Sequence, residues 1–392
     1  MNKKLGLAVA GALAAFASSA NAGISIPAGD WTVDIGGNVN AFYQHTTGSG
    51  SAKTNTINTG LLPAAIGIGG KTRQNDLDVA FQFTFFTGTD STNNVVQPAS
   101  TISTTPGYGK NAALGLNSLN IRQAFMTVGD ASWGQIKLGR DLGVFESDAI
   151  LSDMTLLGVG TPVGGGNTTL GRIGYGYVYA DWKTQIQYQS PNFNGFQVTG
   201  AIDTPWASTN SADAYNQEDM GFEGKATYDF AANDATGRVW VGGVTQKVNL
   251  TGTLGNYTAT GFDLGGKVAY AGAELVASYF SGDGLGSLAQ LAGGSIDGTS
   301  TKIKSDGYYV QGSYKLPTVG TKLGLSYGES NTDSQAGYVG NSRNSWIVGA
   351  YHPLTKSVNL VAEYTYAKQE HDAGGPVDTN SKTVSLGAIM FF

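Results

Sequence analysis

The chain has 392 residues, of which 58 are glycine and 10 proline, a glycine share about twice the ordinary ~7%. Only 13% are charged, cysteine is absent and the formal net charge is −6. Those values exclude a disulfide framework, a thiolate metal site and a basic nucleic-acid-binding face.

Histidine is scarce too: His45, His352 and His371 stand far apart. Neither Gly-x-Ser-x-Gly nor His-Glu-x-x-His occurs. No enzyme and no histidine-held metal is therefore expected, and nothing calls for a cofactor. The run Gly164-Gly165-Gly166 lacks the Lys-Ser/Thr that a phosphate loop requires.

The chain opens with Lys3 and Lys4, followed by the apolar, small-residue stretch Leu5–Ala17 and by Ala20-Asn21-Ala22. A charged start, an apolar centre and an A-x-A end make a secretory signal peptide over residues 1–22, with a mature chain from Gly23. The apolar stretch is too short to span a bilayer core, which takes ~20 residues. Residues 23–392 read as one domain. The longest later apolar candidate, Leu61–Gly70, contains Pro63 and three glycines, so no membrane helix is expected.

In chain order, about sixteen segments alternate apolar and polar residues at period two, the strand signature. They lie near 31–44, 61–73, 77–87, 119–129, 134–140, 183–190, 196–203, 220–230, 237–248, 260–271, 273–281, 306–316, 321–330, 344–353, 358–369 and 382–392. In the last, Val384, Leu386, Ala388, Met390 and Phe392 share one face, while Thr383, Ser385 and Gly387 share the other. Aromatics recur near segment ends, as at Trp31, Tyr43, Tyr270, Tyr279, Trp346, Tyr351, Tyr366, Phe391 and Phe392.

Connections alternate in length. Short ones such as 74–76, 191–195 and 317–320 follow long ones such as 45–60, 88–118, 141–182 and 282–305. That asymmetry, an even strand count and aromatic girdles are the marks of an outer-membrane β-barrel. Strands of ~10–11 residues at ~3.4 Å each, tilted near 45°, cover the ~25 Å apolar band. Closure pairs every backbone group, which lipid demands. The fold class is all-β: a transmembrane antiparallel barrel of sixteen strands.

The densest motifs run from Asn120 to Phe196. They are Asn120-Ile121-Arg122-Gln123-Ala124-Phe125, Trp133-Gly134-Gln135-Ile136-Lys137-Leu138-Gly139-Arg140, Ser152-Asp153-Met154, Gly171-Arg172-Ile173-Gly174 and Tyr188-Gln189-Ser190-Pro191-Asn192-Phe193-Asn194-Gly195-Phe196. Together they resemble the trimeric general porins of Gram-negative outer membranes. The resemblance implies a water-filled channel for passive diffusion of ions and small hydrophilic solutes, embedded in outer-membrane lipid as a homotrimer. It implies a third loop, here about 141–182, folded into the lumen. The terminal Phe392 resembles the signal that barrel-assembly machinery reads. The family's second loop acid is missing, since Met154 is followed by Thr155-Leu156-Leu157-Gly158-Val159-Gly160.

Loop acids facing wall arginines would set a transverse field across the waist, and rings of charge bias ion choice. The wall candidates are Arg122, Arg140, Arg172 and Arg73. Arg122 must face the lumen because arginine toward lipid costs ~2–4 kcal/mol at the midplane. Arg140 and Arg172 either line the pore or latch onto loop acids. The loop candidates are Asp153, Glu146, Asp148 and Asp141. Asp153 could instead cap a turn, and Glu146 and Asp148 could be solvated loop charges.

Two other functions stay open at this level. Tyr175, Tyr177, Tyr179 and Trp182 alternate, as a track for sugars or small organic anions in a selective channel would. An exported β-rich adhesin or lectin would share the period-two pattern.

Overall fold

Period-two alternation puts every second side chain on one face, so each strand here has an apolar and a polar side. In the computed structural model, residues 23–49, 51–88, 120–162, 168–205, 215–216, 218–250, 255–292, 294–297 and 299–392 are described, with backbone alone for 51–52 and 215–216. The segment 1–22, most of 88–118 and Gly164–Gly166 lie outside the described residues.

The strands are β1 (Ile24–Ala28), β2 (Trp31–Ser49), β3 (Ser51–Asn58), β4 (Ala64–Gln74), β5 (Leu77–Thr87), β6 (Asn120–Asp130), β7 (Gly134–Leu142), β8 (Trp182–Gln189), β9 (Phe196–Asp203) and β10 (Tyr215–Asn216). There follow β11 (Gly221–Ala232), β12 (Ala235–Leu250), β13 (Asn256–Tyr270), β14 (Ala273–Asp283), β15 (Lys304–Lys315), β16 (Lys322–Thr332), β17 (Asn341–Pro353), β18 (Val358–His371) and β19 (Thr379–Phe391). Sixteen of them, β2, β4–β9 and β11–β19, form the wall of a closed antiparallel barrel.

The seam is β19 against the upper half of β2, from Asn380↔Ser49 to Phe391↔Asn38. Where β19 stops, β1 takes its place beside the lower half of β2, with Ile24 opposite Ile35. Phe392 and Gly37 exchange backbone hydrogen bonds of 2.9 and 3.1 Å at the changeover. Strand β3 pairs with the upper half of β2, and β4 with the lower half.

All sixteen expected segments are present. Several boundaries shift by a few residues, and the start of 61–73 moves to Ala64 because Leu61, Leu62 and Pro63 bend inward and are buried. Asn38 and Asn40 hold that bend, donating to the carbonyls of Pro63 at 3.1 Å and Leu62 at 2.8 Å. Tight turns at one end have a visible cause. Asn75–Asp76 and Ala271–Gly272 each place two residues at positive φ, the hairpin geometry that matches strand twist.

Ile66, Ile68, Phe83, Leu264, Val348 and Leu386 are among the exposed apolar side chains of the outer face. An apolar surface this extensive suits lipid and would aggregate in water. Tyr43, Tyr270 and Trp346 belong to it, while Tyr351 and Phe391 are buried on the inner face. The inner face is polar and bonded to itself, as where Thr84 donates to Gln123 at 2.6 Å. Among the described residues no helix is long and apolar enough to cross a membrane.

Replacing Leu386 with Arg is expected to destabilise the barrel by about 2–4 kcal/mol. The readout is a lower urea midpoint in lipid vesicles. An unchanged midpoint would mean that this face meets water.

Candidate functional site

The connection between β7 and β8 does not leave the barrel. It enters the lumen and follows the inner wall in strand order, carrying α1 (Ser147–Ser152) and a 3-10 turn at Met154–Leu157. Glu223 on β11 accepts the N–H groups of Val144 and Phe145. Asp148 pairs with Lys225 on β11 at 2.6 Å and Arg238 on β12 at 3.0 Å. Tyr309 on β15 donates to the Ala149 carbonyl at 2.8 Å, and Gln311 to that of Ser152 at 2.7 Å. Glu363 on β18 accepts from the backbone of Val159 at 2.9 Å and Gly160 at 2.7 Å. The outward limb ends against the inward bend, where Leu61 donates to the Gly158 carbonyl at 2.9 Å.

Close approach explains two glycines. A Cβ on Gly158 would stand 2.0 Å from a Glu363 carboxylate oxygen. One on Gly328 of β16 would stand 2.3 Å from the Tyr175 carbonyl. Neither could carry a side chain with the loop seated.

A second loop joins the first. Segment 284–303 was expected among the outer loops, yet Tyr179 donates its backbone N–H to Leu288 at 3.0 Å, and Leu285 and Ile303 are buried. Among the described residues the waist therefore has three inserts: 143–162 with 168–181, the bend at 59–63, and 284–292 with 294–297 and 299–303.

The structure places the candidate residues unevenly. Arg122 is the extra residue of a bulge, where Thr84 pairs with Gln123 and Phe85 with Ile121. The bulge lets Arg122 and Gln123 both turn inward while Ile121 stays outward. The Arg122 guanidinium lies 4.6 Å over the Phe86 ring and 5.9 Å from that of Trp182.

The other three arginines are placed differently. Arg140 pairs with Ala124 and Thr184 in the ladder, two residues from the end of β7. Its Nε is enclosed, and its charge lies within electrostatic reach of the buried Arg122, Tyr179 and Asp181. Arg172 points inward but is wholly buried. Its guanidinium bonds Ser326 of β16 and, at 3.1 Å, the Ser345 hydroxyl of β17. It pins the loop's returning limb instead of lining open pore. Arg73 sits beside the tight turn after β4, half-exposed, bridging Asp78 at 2.9 Å and Asp130 at 3.1 Å.

The acids are also committed. Asp153 caps the 3-10 turn, accepting from Thr155 at 2.9 Å, and takes the Tyr177 hydroxyl at 2.9 Å. Asp141 is corrected: it belongs to β7, not to the loop, and is buried against Lys137 and Gln123. Asp148 is a buried anchor rather than a solvated charge. Burial opposes its ionised form, but Lys225 and Arg238 outweigh that and hold its pKa below the ordinary value.

Glu146 is buried at left-handed φ 62°. Burial raises its pKa well above the ordinary range, and the nearby Asp263 charge adds to this. Its oxygens lack a well-formed hydrogen bond, and only the Val178 N–H favours the charge. Burial likewise pushes Asp181 up to about 6, against the Trp182 N–H and nearby cations.

The aromatic track does not form. Tyr177, Tyr179 and Trp182 are buried, with Trp182 donating to the Tyr179 hydroxyl at 2.7 Å. Sequence reasoning missed the inward cations Lys225, Arg238, Lys322 and Arg343. Their parity was readable, since Phe222 and Val239 fix the outward phase of β11 and β12.

The family model described as Gram-negative porin matches residues 8–372. Among curated proteins there is no match. Several solved structures share the fold. The outer membrane channel DcaP of Acinetobacter baumannii is 16% identical with a TM-score of 0.66, over 95% of this chain and all of that one. An anion-selective porin from Comamonas acidovorans is 15% identical with a TM-score of 0.64, over 92% of this chain and all of that one. A trimer form of OmpT from Vibrio cholerae is 14% identical with a TM-score of 0.56, over 92% and 99%.

Two outcomes test the loop's anchors. Arg172→Ala should cost about 2–4 kcal/mol through lost charge-assisted bonds, seen as a lower melting midpoint with noisier open-channel current. Glu146 contributes to docking while it holds its proton, so stability should fall as pH rises through its raised pKa. Asp263, Asp148, Glu223, Lys225 and Tyr309 surround this change. Glu146→Gln should flatten that slope in a pH series of melting midpoints.

Proposed function

We infer, for a chain that belongs to the Gram-negative porin family and so forms an outer-membrane channel for passive diffusion, that its waist prefers small anions. One observation carries this reading. The loop's acids Asp148 and Asp153 are buried in anchoring contacts and Glu146 is buried beside them, while the inward cations Lys322 and Arg343 have no ion-pair partner among the described residues, Glu274, Asp153 and Glu363 acting on Lys322 only at longer range. Lys322 lies 5.2 Å over the Tyr351 ring, and Arg343 reaches only the Ser287 hydroxyl at 3.5 Å. Fixed charge of one sign beside a narrow path raises the local concentration of the other. The anion-selective porin of Comamonas acidovorans shares the fold, but the inference here rests on Lys322 and Arg343.

The remaining assignments follow from the same architecture. The signal peptide 1–22 directs export, and residues 23–392 then form the barrel. Phe392 serves as the assembly signal, supported by its backbone exchange with Gly37 at the seam. A homotrimer is supported by the trimer form of OmpT. Arg122 lines the waist; Asp153, Glu146, Asp148 and Arg172 shape it by holding the loop. A sugar-selective track loses its support with the burial of Tyr177 and Tyr179.

The test is the reversal potential across a planar bilayer under a salt gradient. The parent channel should favour anions. Lys322→Glu should shift the permeability ratio about fivefold toward cations, the effect of reversing one charge within ~8 Å in water. An unmoved ratio would remove Lys322 from the ion path. Deleting Phe392 should lower the yield of folded barrel in the membrane fraction, and a normal yield would refute its signal role.

A further inference from the structure

Between the loop's tip and the wall of β6–β8 lies a small cleft of about 40 Å³ that opens into wider solvent-filled space. Its sides are apolar: Leu142 and Trp182 come from the wall, and Ile150, Leu151 and Leu156 from the loop. Leu151 is 40% exposed, an aliphatic group kept in water where only polar solutes would seem to pass. Among the described lining residues Arg122 alone is charged. Arg122 is itself only 4% exposed, its guanidinium fixed over Phe86 and beside Trp182.

The two chemistries select together. An inorganic anion gains nothing from leucine, and a sugar gains little from either an apolar wall or a lone cation. A guanidinium carries five N–H donors in one plane, so an oxyanion can join the contacts Arg122 already makes. Burying an apolar body against Leu151 and Leu156 adds the hydrophobic term. Elsewhere in the waist the cations differ: Arg238 is paired with acids, and Lys322 is not among the residues that line this cleft.

We propose that this cleft is a transit binding site for monocarboxylates with a single aromatic ring or a short alkyl chain. The carboxylate meets Arg122, and the apolar body rests on the leucines. The site rests on the channel reading and narrows its solute class.

The full-length mature protein, refolded and inserted in a planar bilayer, is titrated with three probes. Benzoate has ring and charge, acetate the charge alone, and benzamide the ring alone. Benzoate should interrupt the open-channel current at about tenfold lower concentration than acetate or benzamide. Leu151→Asn should bring benzoate block to the level of acetate. Arg122→Gln should bring it to the level of benzamide; if that variant fails to fold, the three probes and Leu151→Asn still decide. Equal block by benzoate and acetate, equal block by benzoate and benzamide, or an unaltered Leu151→Asn would each overturn the proposal. A protein with no conductance would fail the channel reading itself, and the site with it.

Discussion

Lipid offers no hydrogen bonds, and every other feature of this protein follows from that constraint. A strand in a bilayer must find partners on both edges, which a closed ring alone supplies. Closure then dictates the rest. One side of each strand is solvated by hydrocarbon and the other by water, so apolar and polar residues must alternate. The wall becomes a tube, and whatever the tube passes is decided by what is folded inside it.

What is folded inside is held by the backbone as much as by side chains. Glu223 and Glu363 each accept two loop N–H groups, one near either end of the loop's outward limb. Between them lie the ion pairs of Asp148 and the carbonyl contacts of Tyr309 and Gln311. The loop's negative groups are thus used as fasteners.

Sequence legibility divides along the same line. The wall was legible because period two is enforced at nearly every residue by two solvents. A local slip, the bulge at Arg122, interrupts it in β6, and the polar pair Arg122-Gln123 marks the slip. The interior was not legible. Arg172 finds Ser326 and Ser345 at separations of 154 and 173 residues, and no local pattern encodes such a meeting. Segment 284–303 looks like any polar loop, and its inward fold depends on packing against Tyr179.

The seam has a temporal meaning. Asn380 and Ser49 hydrogen-bond across 331 positions of chain. Neighbouring strands can zip as hairpins, but the upper half of β2, paired with β3 on one edge, has no mate on the other until β19 arrives. During that interval the growing sheet carries two unsatisfied borders, each a template for any extended chain nearby. The order of synthesis therefore makes the seam the last pairing that can form.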